Sequence, residues 1–227
     1  MISSATMNGA GNGAGNEAGA ETAECAPASV KVGQILAAAG RLFLEHGYGA
    51  TSMETVARTA EVSKATLYAH FPSKEKLFAA IVAGECGRLT HVFDDAGIDC
   101  LPVEQALTRM GQEFFNLVMS AKGLAVFRMV IAESRRFPEL GRAFYDTGPT
   151  LTLRRLEAYL DRANRRGDLA ITDVVLACEQ FMGLLRGHLH TRLLMGLAPP
   201  PSELERNRFI VGAVDLFTRG YAPGRVD

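Results

Sequence analysis

The chain has 227 residues, 48% of them hydrophobic, and a formal net charge of −1. That length and apolar share suit one large helical body, or a small domain joined to a medium one, and exclude a chain too polar to build a core. The longest apolar stretches are broken well short of the ~20 residues a membrane span requires, as at Arg128 and Arg186, so no membrane partner is expected.

Residues 1–29 are rich in Gly, Ala, Asn, Ser and Thr and carry Glu17, Glu21 and Glu24 against no basic residue. With so little to bury, they are expected to form a disordered tail. Gly9 to Ala14 superficially fit a dinucleotide fingerprint, but no strand precedes them and no helix follows, so no cofactor is expected. From Val30 the apolar period is helical. Val32, Ile35, Leu36, Ala39, Leu42 and Phe43 share one face of a helix ending at Gly47. Thr51 is expected to cap a second helix with Glu54 completing a capping box, and Met53, Val56, Ala57 and Ala60 form its buried stripe. Ser63 caps a third, very short helix that Pro72 stops, with Val62 and Leu67 spaced as a hydrophobic staple. A fourth runs from about Lys74 to Asp95, with Leu77, Phe78, Ile81, Val82 and Leu89 inward.

Beyond Gly97 the helices lengthen. One opens at Leu101-Pro102, and others run at roughly 122–136, 138–147 and 149–166, punctuated by Pro138, Gly148-Pro149 and Gly167. Thr172 is expected to cap a long helix to about Met195, and Ser202 with Glu205 to form a capping box for a last helix ending at Gly220. No alternating strand pattern stands out, so the expected fold class is all-α.

Residues 30–80 carry six Lys and Arg against four Glu, the one segment of net positive charge. Charge alone allows a DNA reader there without requiring one. Two short helices joined by a tight turn are consistent with a helix-turn-helix, and also with an ordinary helical hairpin bearing solvated polar residues. On the first reading Leu67 and Phe71 anchor the third helix, and Lys64, Ala65 and Thr66 in its first turn approach base edges. Tyr68, His70 and Lys74 then reach phosphates, as does Thr51 at the start of the second helix.

Thr51-Ser52-Met53-Glu54-Thr55-Val56-Ala57, and then Val62 through Leu77, closely resemble the DNA-binding domain of the TetR family, as does the ending Phe43-x-x-x-Gly47-Tyr48. The resemblance covers roughly Lys31 to His91. It implies that Lys64, Ala65 and Thr66 face bases, that Tyr68, His70 and Lys74 hold the DNA backbone, and that the N-terminal ends of helices two and four, including Ser52, assist with Ser63 at the recognition-helix cap. Glu61 departs from the family, which usually places Gly in this turn, and Ala65 replaces another frequent Gly. If φ is positive at Glu61, a non-Gly residue there costs up to ~1 kcal/mol. A second resemblance, from Arg128 to Pro149 and including Ile131 to Leu140, points to the regulatory domain of the AefR-like subgroup.

The implied organisation is a tail over 1–29, a TetR-type DNA-binding domain over 30–92 with its helix-turn-helix at 52–71, and an effector-binding and dimerisation domain over 93–227. Met110, Phe114, Phe127, Met129, Phe144, Phe181 and Met182 are adaptable or aromatic side chains expected to line an apolar effector pocket. Gly183 and Gly187, spaced as one helical turn, and Phe209, Ile210, Val214 and Phe217 are expected at a homodimer interface. His188 and His190 lie about 200° apart around a helix, and Cys86, His91 and Cys100 match no zinc template, so no metal is expected. The scattered cysteines lack CxxC spacing and the start lacks a basic and apolar leader, which fits a cytoplasmic location. Glu133 with Arg135 and Arg136 reads as a structural ion network, and no catalytic arrangement is legible.

The expected function is a repressor that reads a palindromic operator as a dimer and is released by a small apolar ligand. The alternatives are an activator, a ligand-independent regulator of the same fold, or a helical enzyme or adaptor that does not bind DNA.

Overall fold

The computed structural model describes residues 28–95 and 97–224. Among them are ten α-helices, one 3₁₀ turn at Ile98–Cys100 and no strand. The order is α1 (Ala28–His46), α2 (Met53–Thr59), α3 (Lys64–His70), α4 (Lys74–Asp94), α5 (Val103–Val118), α6 (Ala121–Glu133), α7 (Pro138–Thr147), α8 (Pro149–Arg166), α9 (Val174–Leu194) and α10 (Glu203–Gly220). The all-α expectation holds. The expected tail lies outside the described residues except for its last two, which already belong to α1.

Helix ends follow capping chemistry, with two one-residue corrections. Ser52, not Thr51, caps α2, accepting from the Thr55 backbone N–H. Thr51 is instead buried, and its hydroxyl donates to the carbonyls of Leu42 and Gly47 at 3.2 and 2.9 Å. It thereby satisfies the orphan acceptors at the end of α1. Asp173, not Thr172, caps α9 through a 2.9 Å bond from Leu176 N–H, because a carboxylate is the stronger acceptor at a positive helix end. Ser63 caps α3 and Ser202 forms its capping box with Glu205, both as expected.

Two hydrophobic cores meet along α4. In one, Ile35 and Phe43 of α1, Val56 of α2, and Leu67 of α3 pack on Leu77 and Phe78 of α4. Val130 of α6 and Leu140 of α7 join this core. In the other, Leu89 and Phe93 of α4 pack with apolar residues of α5, α8, α9 and α10. Each fully buried leucine or isoleucine contributes about 1.5–3 kcal/mol over an exposed one. α9 is broken at Gly187, whose φ of 47° and ψ of −163° leave the helical region. Gly183 and Gly187 are therefore not one turn apart on a continuous helix. Arg128 of α6 reaches the far end of α9, donating to the carbonyls of Leu193 and Leu194 at 2.6 and 2.7 Å. Among the described residues no single helix is long and apolar enough to cross a membrane.

Candidate nucleic-acid interface and ligand cavity

α3 is held by one face and open on the other. Leu67 is fully buried and Phe71 nearly so, which fixes the helix against α1 and α4. Lys64, Ala65 and Tyr68 are exposed, while Thr66 and His70 are half-buried. Lys64 Nζ lies 3.4 Å from Glu54 Oε1 of α2. The Thr66 hydroxyl shares a 2.8 Å hydrogen bond with that of Ser63, and exposed Ser52 shares one of 3.0 Å with Thr55. The open face thus presents one loosely paired cation, a small residue that permits close approach and an aromatic hydroxyl, chemistry that suits base edges and phosphates in a groove.

Two expected phosphate contacts turn inward instead. The Thr51 hydroxyl is committed to α1 carbonyls. Lys74 Nζ donates to the Thr51 carbonyl at 2.8 Å and sits 4.2 Å from the centre of the Tyr48 ring. Burial pulls the Lys74 pKa below its usual value, against the opposing pull of Glu133, Glu75 and Glu139. Both residues brace the α1–α2 loop. In the turn before α3, Glu61 has φ +54°, the only positive value at a non-glycine among the described residues. The strain anticipated there is present.

Glu133, at the end of α6, accepts from the backbone N–H of Tyr48 at 2.7 Å and of Gly49 at 2.5 Å. It spends its oxygens on the α1–α2 loop rather than on Arg135 and Arg136, which corrects the ion-network reading. Glycine on either side of Tyr48 makes this approach possible. A Cβ at Gly47 would stand 2.6 Å from Glu133 Oε1, and one at Gly49 would stand 2.7 Å from the Phe137 ring. Phe137 packs edge-on against Tyr48 with centroids 5.5 Å apart.

A cavity of about 130 Å³ opens between α4, α5, α6, α7, α8 and α9. Of the expected pocket residues, Phe114, Phe127, Phe144 and Met182 line it. Met110 and Phe181 do not: they lie in the second core, with Phe181 edge-on to Phe217 at 5.0 Å. Met129 packs on the first core. Periodicity marks all seven as apolar, and only the packing separates core from cavity wall. Sequence reasoning missed Cys86, Thr152, Arg186 and His190, which also line it. Phe127 stands edge-on between Phe144 at 5.8 Å and His190 at 5.3 Å. Burial first, and Arg186 second, hold the His190 imidazole below its usual pKa.

The expected interface residues divide. Ile210, Val214 and Phe217 are at most 3% exposed and belong to the chain's own core, where they pack on α5 and α9. Gly183, Gly187 and Phe209 are exposed. On α10, Phe209, Gly212 and Leu216 face outward, and on α9 Leu176 and Gly183 are exposed. Of the expected set, Phe209 alone on α10 faces outward.

Residues 35–81 match the family model described as "Bacterial regulatory proteins, tetR family", and residues 105–223 match "AefR-like transcriptional repressor, C-terminal domain". The HTH-type transcriptional activator FasR of Mycolicibacterium smegmatis is 33% identical over 92 residues, 40% of this chain and 42% of its own length. Among solved structures, one described as a TetR-family transcriptional regulator from Mesorhizobium loti superposes with a TM-score of 0.72 at 26% identity, covering 86% of this chain and 98% of that one. The flavonoid-responsive regulator FrrA superposes with a TM-score of 0.69 at 36% identity, over 86% and 98% of the two chains. The chain belongs to the TetR family of helix-turn-helix DNA-binding transcriptional regulators, with an AefR-like C-terminal domain.

Proposed function

We propose that this regulator is a homodimeric repressor that reads a palindromic operator through α3 and leaves it when a small apolar molecule occupies the cavity. One observation carries the reading. Leu77 and Phe78 of α4 pack in the core that holds α3, while Ile81, Val82, Cys86 and Leu89 of the same helix line the cavity. A ligand that displaces α4 therefore displaces the recognition helix. In a symmetric dimer this changes the separation of two such helices, which must match half-sites about 34 Å apart or a multiple of that. The dimer seam in this reading is Leu176, Gly183, Phe209, Gly212 and Leu216. The operator contacts are Lys64, Ala65 and Thr66 on bases, with Ser52, Ser63, Tyr68 and His70 on phosphates.

The likeness to FrrA, described as flavonoid-responsive, supports an aromatic effector, and single-ring phenolic compounds that fit a cavity of about 130 Å³ are the first probes. The test is calorimetry of ligand binding with and without DNA from upstream of the protein's own gene. A coupling of roughly 1–3 kcal/mol gives a 5–150-fold difference in ligand affinity between the two conditions. Equal affinity refutes the coupling, however tightly the ligand binds. The likeness to FasR favours a second reading, in which the same switch activates transcription. A reporter fused to the bound promoter separates the two by the sign of its response to deletion of the regulator.

A further inference from the structure

The cavity wall is mostly apolar, with a few polar and charged groups that include Glu85, Lys122, Glu179, Arg186 and His190. Phe114, Phe127, Phe144 and Met182 supply hydrocarbon, and among them Arg186 of α9 brings a guanidinium. Its charged end lies 5.6 Å from the centre of the Phe114 ring, and its Nε is buried with no hydrogen-bond partner among the described residues. Of the other charged groups on the wall, Glu85 and Lys122 pair with each other at 2.5 Å. Glu179, two turns earlier on α9, is exposed and makes no ion pair with Arg186 among the described residues. His190, four residues on, is held toward its neutral form by burial and by Arg186 itself.

Burial also pulls the Arg186 pKa down, against the weaker opposing pull of Glu179 and Tyr145, yet a guanidinium does not give up its proton in a protein. The cavity therefore holds a positive charge with a buried, unsatisfied donor, an arrangement that costs free energy until an anion meets it. The guanidinium fork matches a planar oxyanion.

We infer that the ligand is a compact apolar acid, whose ionised oxygen pairs with Arg186 while its ring or chain fills the space among Phe114, Phe127, Phe144 and Met182. This rests on the cavity being the effector site. A volume near 130 Å³ is on the scale of a cavity that holds a single benzene-sized body. The ionised oxygen belongs to a carboxylate or an acidic phenol, and matched probes separate these sources.

The experiment is calorimetry on the full chain with two pairs of probes: benzoate against methyl benzoate, and 4-nitrophenolate against 4-nitroanisole. At least one anion should bind roughly ten- to a hundredfold tighter than its neutral partner, the range of a hydrogen bond to a charged group. Preference within the first pair alone names a carboxylate, and within the second alone a phenol. Arg186→Met should abolish the preference by weakening the anions most, and Arg186→Lys should restore part of it. The ligand-free Arg186→Met protein should melt at or above the wild-type temperature, because it sheds an uncompensated charge. If the neutral member of each pair binds as tightly as its anion, the inference is overturned and the effector cavity stands. If no probe of either kind binds, both fall. Preference that survives in Arg186→Met, or a marked drop in that variant's melting temperature, overturns the role given to Arg186.

Discussion

Replacing Glu133 by Gln tests whether the C-terminal helices hold the DNA-reading head through one carboxylate. In the native chain both oxygens accept, from Tyr48 N–H at 2.7 Å and Gly49 N–H at 2.5 Å. Glutamine keeps one acceptor and turns its NH₂ toward the other N–H, so one bond is lost and the charge assistance to its twin goes with it. A hydrogen bond to a charged group contributes about 1.5–3 kcal/mol. The Gly49 bond is exposed and the Tyr48 bond only partly buried, so water recovers some of this. A net loss of about 2 kcal/mol follows, which lowers the melting temperature by roughly 4–8 °C in a chain of this size. The second readout is coupling: Glu133→Gln should bind effector as the wild type does without DNA, while the effect of operator on that affinity shrinks several-fold. A melting temperature within about 1 °C of wild type, or an undiminished coupling, would refute the clasp.

Three further outcomes follow from the same geometry. Glu61→Gly relieves a φ of +54° and should stabilise the chain by up to ~1 kcal/mol in urea unfolding; it also removes a carboxylate beside α3, so operator affinity should rise most at low salt. Lys64→Ala should change base preference at particular operator positions by about 1–3 kcal/mol, whereas Lys74→Met, which strips a 2.8 Å bond to Thr51 and the cation over Tyr48, should lower stability and leave the salt slope of DNA binding near wild type. Leu216→Glu should yield a folded monomer by sedimentation, because Leu216 is 60% exposed, while Phe217→Glu should unfold the chain, because Phe217 is 3% exposed.

Helix count and most boundaries were legible because capping residues and Gly or Pro breaks are local signals. Ser63, Ser202 with Glu205, Gly47 and Gly167 each mark an end that the backbone adopts. The errors arose where two neighbouring residues compete for one role: Thr51 against Ser52, and Thr172 against Asp173. Burial of Thr51, a property of the packed chain, decides the first, and the stronger carboxylate acceptor decides the second. The break in α9 escaped because Gly187 in isolation reads as a small helical residue. At the site, exposed α3 positions followed from period and from resemblance. Glu133 and Arg186 did not, since a partner of Glu133 lies 84 residues away and the Arg186 Nε has no hydrogen-bond partner among the described residues.

The presence of Leu140 in the same core as Leu67 bears on how such regulators can be recombined. A chimera joined at the end of α4 would pair a new reader with a foreign α6 and α7. The graft would arrive without Val130, Phe137 and Leu140, leaving Tyr48 and the loop around it facing whatever side chains the host supplies. Readers and sensors of this architecture are therefore not interchangeable cartridges. The transplantable unit is residues 28–94 together with the surface formed by 130–144, two pieces of chain separated by α5 and most of α6.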